Sequence, residues 1–186
     1  MATYYHVDNA GLLKSGMEIK LDGGTRSRFG QIYQSRFKLI GADEIGPDVP
    51  LLVDVLPDPH YREYFLELLR LHDPELSHLT NNSRLNSFFA ALTVEDVIKY
   101  KSRSMNKAPA NIFEIHTDSE VQVLDMTWLD QQFPRDVNKF GYYYRQYWRG
   151  ARIDQDPYLA EHEKRETLLE VLIGGDCKVG KVVSRI

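Results

Sequence analysis

Little in this chain provides for covalent or membrane anchorage. One cysteine, Cys177, stands among 186 residues. That excludes an internal disulfide and a thiolate zinc centre. No run approaches the roughly 18 apolar residues that span a bilayer, so no membrane partner is expected. No basic stretch followed by an apolar run opens the chain, which makes a cytoplasmic location the expectation. Positive charge is not in excess: 23 Lys and Arg face 27 Asp and Glu, for a net −4. A dedicated duplex-binding protein draws its affinity from phosphate neutralisation, so that class is disfavoured, while a local basic groove is not. The six histidines form no H-E-x-x-H, and no metal is expected. Neither the dinucleotide fingerprint G-x-G-x-x-G nor a phosphate-binding P-loop is present. The serine-hydrolase elbow G-x-S-x-G is missing too. There is no internal repeat and no low-complexity segment.

What remains reads as an ordinary globular chain, with 42% hydrophobic and 27% charged residues, enough for a core in one domain spanning 1–186. Residues 3–7, TYYHV, read as a strand, and Met17 to Leu21 alternate as a second. Residues 22–50 read as a long loop with a short helical piece. The spacing of Tyr61, Tyr64, Phe65, Leu68 and Leu71 predicts a helix over 59–71 with one apolar face, followed by a loop over 72–84. Leu85 to Ala91 reads as a strand. Thr93, with Asp96 three positions on, predicts an N-cap for a helix reaching about Lys101. Residues 111–126, "NIFEIHTDSEVQVLDM", read as a hairpin turning at Asp118-Ser119. A helix is expected over 136–149, and a short one after Asp156-Pro157. The C-terminal "TLLEVLIGGDCKVGKVVSRI" reads as strand, Gly-Gly turn, strand. Strands first, helices in the middle and strands last define an α+β fold with a largely antiparallel sheet, not a βαβ ladder.

Several residues invite a chemical reading beside a plain one. Glu170 shares its strand face with Leu168 and Leu172, an odd place for a solvated carboxylate; the plain alternative is an exposed edge position. His6 sits in the first strand, where it is either a satisfied core histidine or a group awaiting a ligand. In "SRLNSFFAALT", Phe88 and Phe89 point to opposite strand faces, so one can be core while the other walls a pocket for a ring-bearing ligand. Tyr143, Tyr144, Tyr147 and Trp148 form one helix face, read as core in preference to a stacking platform. Arg26, Arg28 and Arg36 read as a solvated loop, with a phosphate clamp as the rival.

Three of these pieces occur in a suggestive order: His6 in "YYHV", the middle segment "SRLNSFFAALTVEDVIKY", and Glu170 in "LLEVLIGG". Together they resemble the ADP-ribosyltransferase fold in its His-Tyr-Glu branch, which includes diphtheria-toxin-like enzymes and poly(ADP-ribose) polymerases. The layout also resembles a family of uncharacterised bacterial domains of that fold, over nearly the whole chain. The resemblance implies a split antiparallel sheet flanked by helices, and an NAD-dependent transferase related to toxins or defence. It implies that His6 holds a ribose hydroxyl of NAD and that Glu170 bonds the 2′-hydroxyl of the nicotinamide ribose. Phe88 or Phe89 would stack on nicotinamide, Arg84 and Ser87 would belong to the same binding segment, and Tyr100 would supply the tyrosine. Phenylalanine stands where the family's middle motif has tyrosine, and Glu166 competes with Glu170. The acceptor is a nucleic acid or a protein; Arg84, Arg103, Arg145, Arg149 and Arg152 are the residues that would guide a strand. An antitoxin protein is a further partner such a protein would have. The rival readings are RNA 2′-phosphotransfer, NAD glycohydrolysis, and a non-catalytic binding module.

Overall fold

A computed structural model describes residues 1–21, 26–39, 58–79, 82–130 and 137–186. The described elements are mixed, as the α+β reading requires. The strands are β1 (Ala2–Asp8), β2 (Glu18–Ile19), β3 (Phe88–Ala90), β4 (Asn111–Thr117), β5 (Val121–Asp125), β6 (Leu169–Ile173) and β7 (Cys177–Arg185). The helices are α1 (Arg28–Leu39), α2 (Asp58–His72), α3 (Val94–Arg103) and α4 (Val137–Trp148). The strands form two antiparallel sheets, ordered β1-β4-β7-β2 and β3-β6-β5. Among the described residues no helix is long and apolar enough to cross a membrane.

The C-terminal strand, Gly-Gly turn, strand forms as β6 and β7, whereas the hairpin expected over 111–126 fails in an informative way. β4 and β5 exist, but they do not pair; β4 pairs with β7 and β5 with β6. β6 and β7 likewise lie in different sheets. From His116↔Lys178 to Val121↔Ile173 the pairing advances five residues on one chain and retreats five on the other, so the register is unbroken. The four strands are therefore one antiparallel ribbon that kinks from one sheet into the other. Alternating hydrophobicity fixes that a segment is a strand, not which strand it joins. The kink is clamped by Thr117 Oγ1 and Ser119 Oγ, which donate to the Asp176 carbonyl at 2.7 and 3.2 Å. A side chain at Gly175 would put its Cβ 2.5 Å from Ser119 Oγ, so the close crossing requires glycine. The sheets also meet where Tyr5 and Ala91 exchange backbone hydrogen bonds of 2.9 and 2.7 Å.

Other expectations shift at their ends. Met17 to Leu21 shortens to Glu18–Ile19. Within 22–50 the helical piece is the full twelve-residue α1, and residues 22–25 and 40–50 lie outside the described set. Leu71, at the end of the α2 stripe, is exposed, whereas Tyr61 and Tyr64 are buried. Leu85 belongs to a 3₁₀ turn, Arg84–Asn86, and only Phe88–Ala90 is strand. The cap at Thr93 forms as expected: its hydroxyl oxygen accepts the Asp96 N–H at 3.1 Å and donates to the Asp96 carboxylate at 2.8 Å. No helix follows Asp156. Its carboxylate accepts the N–H groups of Tyr158 and Leu159 at 2.9 and 3.0 Å, but one capped turn does not repay the cost of a helix nucleus.

Trp128, Trp148, Tyr147, Leu66 and Leu172 anchor the largest core, between α2, α4 and the smaller sheet. Asp125, fully buried, ties that core to β6. Its carboxylate accepts the N–H groups of Thr127, Ile153 and Leu168 and the Thr167 hydroxyl, at 2.9 to 3.2 Å. This satisfies a charge that would otherwise be costly to bury, and it fixes the start of the strand that carries Glu170.

α1 lies so close to the Arg84 turn that a Cβ on Gly30 would stand 1.8 Å from the Leu85 carbonyl oxygen. Backbone cannot yield as a flexible side chain does. Gly30→Ala should therefore destabilise the protein by about 3 kcal/mol, the upper end for overpacking, measured by urea unfolding. A loss below 0.5 kcal/mol, the usual scatter of surface substitutions, would contradict this packing.

Candidate active site

Where β1, β3 and β6 come together, a cavity of about 490 Å³ opens. Such a volume lies within the range of small-molecule sites. His6, Arg84, Phe89, Tyr100 and Glu170 all line it. Five residues separated by up to 164 positions of chain thus share one wall.

Glu170 comes from the middle of β6 and is 7% exposed. Its Oε1 accepts hydrogen bonds from Arg84 Nη1 and from the Tyr147 hydroxyl, the latter at 2.7 Å. Its Oε2 has no partner among the described residues, and it is not sealed from the cavity. Glu166, the competing carboxylate, is exposed and paired with Lys99 at 2.5 Å, outside the cavity. Lys99 holds that carboxyl below its ordinary range.

His6 is oriented from behind. Its Nδ1 lies 2.7 Å from the Phe89 carbonyl oxygen. A carbonyl only accepts, so Nδ1 carries the proton and Nε2 is a bare acceptor. Nε2 has no partner among the described residues. Burial lowers the pKa of His6, against the smaller raising effects of the Phe89 carbonyl and Asp8, so the ring is neutral near pH 7. The folded protein then binds fewer protons here than the unfolded chain. The contribution of His6 to stability is full above its unfolded pKa of about 6.5 and is lost as pH falls below it towards the folded value. His60, also lowered by burial, adds in the same sense. We expect His6→Asn, whose amide N–H can still reach the Phe89 carbonyl, to flatten the fall in melting temperature between pH 7 and 5. Parallel curves for the variant and the parent would refute the assignment.

Arg84 sits on the 3₁₀ turn after Ser83, whose hydroxyl caps it at Leu85 N. It is almost wholly buried. Its Nε donates to Glu63 Oε2 at 2.8 Å and its Nη1 to the Tyr147 hydroxyl at 2.5 Å, besides Glu170. The guanidinium stacks against Phe89 and Tyr147, 4.9 and 5.3 Å from their ring centres. Burial works against its charge, but Glu170 and then Glu63 outweigh burial and raise its pKa well above the usual value. Tyr147 is pushed up by burial, so it remains a proton donor to Glu170.

The helical face at 143–148 is core, as its spacing predicts: Tyr143, Tyr144, Tyr147 and Trp148 are buried. Periodicity does not reveal that one of those hydroxyls reaches the candidate carboxylate. Glu63 and Glu67 were equally hidden. Both are fully buried on α2, and glutamates in a helix read as solvent-facing. Ser87 and Phe88 do not line the cavity. Ser87 is buried, with its hydroxyl on the Ser83 carbonyl at 2.7 Å. Phe88 faces the larger sheet's core, its ring 4.7 Å from that of His6. Phe89 and Phe29 form the aromatic wall, 4.8 Å apart and edge to face. Tyr100 is 39% exposed; burial of its hydroxyl and then the Glu170 charge raise its pKa. Asp96 and Tyr100, one turn apart on α3, share the same cavity face with Asp130.

The surface arginines expected to guide a strand are largely engaged. Arg145 pairs with Asp73 at 2.7 Å, Arg149 with Glu75 at 2.5 Å, and Arg103 reaches Asp130 and the Glu166 carbonyl. Arg28 and Arg36 lie on α1, not in a loop. Among the described residues no group of three His, Cys, Asp or Glu is arranged to hold a metal ion. No protein-family model matches the chain, and no curated protein matches it.

Proposed function

We propose that the chain is an NAD-dependent ADP-ribosyltransferase of the His-Tyr-Glu type, in one 1–186 domain of that fold. The observation that carries the reading is the pair of open acceptors in one cavity, His6 Nε2 and Glu170 Oε2, beside the aromatic wall of Phe89 and Phe29. Two bare acceptors call for a ligand rich in hydroxyl donors. The riboses of NAD supply such donors, and the flat wall suits the nicotinamide ring.

In this reading His6 accepts from a ribose hydroxyl and Glu170 Oε2 from the 2′-hydroxyl of the nicotinamide ribose. Phe89 stacks on nicotinamide, with Tyr100 at the rim. The C1′–N bond breaks, its electron pair leaves with nicotinamide, and positive charge develops at C1′ as in glycoside cleavage. The Glu170 carboxylate, already oriented by Arg84 and Tyr147, stabilises that charge without reorganising. The acceptor then attacks C1′ to form the new bond, and its proton passes to the Glu170 carboxylate and on to water. The acceptor is a macromolecule, nucleic acid or protein, and the setting is a toxin or defence protein of the cytoplasm, with an antitoxin as a further partner. RNA 2′-phosphotransfer is less well supported, because the cavity's described guanidinium groups, Arg62 and Arg84, are already paired with Glu63 and Glu170.

The test is nicotinamide release from NAD by purified protein, with RNA, single-stranded DNA or cell lysate supplied separately and Glu170→Ala as control. Release that needs one acceptor and vanishes in the variant supports the transferase. Release to water alone marks a glycohydrolase. No release, with no NAD binding by calorimetry, overturns the reading and leaves a binding module.

A further inference from the structure

We propose that Glu63 is a positioning residue: through Arg84 it fixes the orientation of the Glu170 carboxylate, so that one oxygen is held by the protein and the other is presented to the cavity. Its catalytic consequence rests on the transferase reading; its geometry does not.

α2 presents two carboxylates four residues apart to the Ser83–Arg84 segment. Glu67 grips the backbone, accepting the Arg84 N–H at 2.9 Å and the Ser83 hydroxyl at 3.0 Å. Glu63 grips the side chain, accepting Arg84 Nε at 2.8 Å. A guanidinium is planar, so fixing Nε and the backbone fixes the direction of Nη1. Nη1 is the nitrogen that meets Glu170 Oε1. With Oε1 held by Nη1 and by Tyr147, Oε2 is the oxygen left to the cavity. Glu63 itself does not line the cavity, so it acts only through Arg84. The other oxygen of Glu63 receives Arg62, a cavity residue, at 3.0 Å.

Energetics point the same way. Glu63 and Glu67 are fully buried and Glu170 nearly so. Buried ion pairs contribute little net stability against apolar residues of equal volume. Stability alone gives no reason to place such a network under a cavity, whereas orienting a reacting group does.

The test compares Glu63→Gln with the parent. Gln retains an oxygen for Nε but not the charge. In the nicotinamide-release assay kcat should fall about tenfold while KM for NAD stays within about twofold, the pattern of an interaction realised in the transition state. In a Glu170→Gln background the same change should cause no further loss. Independently of activity, the carboxyl 13C resonance of Glu170, assigned by its disappearance in Glu170→Gln, should move in Glu63→Gln and stay fixed in the surface variant Glu75→Gln. If the Gln variant does not fold, Glu63→Asp withdraws the charge by one methylene and is read by the same resonance. An unmoved Glu170 line overturns the proposal. So does a kcat loss that persists in the Glu170→Gln background. A parent that releases no nicotinamide defeats the transferase reading instead, and the resonance still decides the positioning.

Discussion

Arg84→Ala should cost about 3–5 kcal/mol of stability, the range found when one partner of a buried ion pair is removed. The guanidinium is the charge that both Glu63 and Glu170 face. Without it Glu170 keeps only the Tyr147 hydroxyl and Glu63 only Arg62, and the Tyr147 hydroxyl loses one of its two partners. The stacking surface against Phe89 and Tyr147 goes as well. For a chain of this length the melting temperature should fall by roughly 10 °C. Arg84→Lys should rescue little. One ammonium cannot bond Glu63 on one side and Glu170 with Tyr147 on the other, and it does not stack as a guanidinium does. Denaturant unfolding of the three proteins measures this. A loss below 1 kcal/mol for the alanine variant would mean that water or a relaxed backbone compensates the carboxylates.

The same network explains what could be read from the residues and what could not. Local rules succeeded where local interactions decide. The Thr93 cap formed because a threonine hydroxyl and an aspartate three residues on complete it without outside help. The burial of Glu170 was legible because Leu168 and Leu172 flank it on one strand face, and all three are buried. The partnership of strands was not legible. "NIFEIHTDSEVQV" carries every local mark of a hairpin, yet the chain spends those marks on a ribbon that changes sheets, held by Asp176 from 57 residues away. The polar half of the site was hidden for a related reason. Glu63 and Glu67 look like the solvated positions of an amphipathic helix until the Arg84 turn is laid against them. Tyr147 looks like core, and is core, with only its hydroxyl projecting onto Glu170. Long-range pairs between charged groups leave no periodicity in a single sequence, whereas apolar faces do.

Glu170→Gln is the variant expected to change activity most. Gln has almost the volume of Glu, and its amide oxygen can still accept from Arg84 and Tyr147, so the substitution spares the buried bonds at Oε1. The change falls on the other side. An N–H₂ donor would face the cavity where a charged acceptor stood, and it would meet the 2′-hydroxyl with neither the negative charge nor the lone pair that the proposed chemistry uses. Removing one preorganised electrostatic group from an active site costs about 10²–10³-fold in kcat, and nicotinamide release in single turnover should fall by that factor. NAD binding should change far less, because uniform binding comes from the aromatic wall and His6, which the variant leaves in place. His6→Ala should show the reverse balance. It weakens binding by about five- to tenfold, as expected for one neutral hydrogen bond of about 1 kcal/mol, with a smaller effect on the chemical step. A Glu170→Gln protein that stays within threefold of the parent would remove the carboxylate from the reaction. Activity that then disappeared in Asp130→Asn, and not in Asp96→Asn, would transfer the role to Asp130, the cavity carboxyl that burial already holds above its ordinary range.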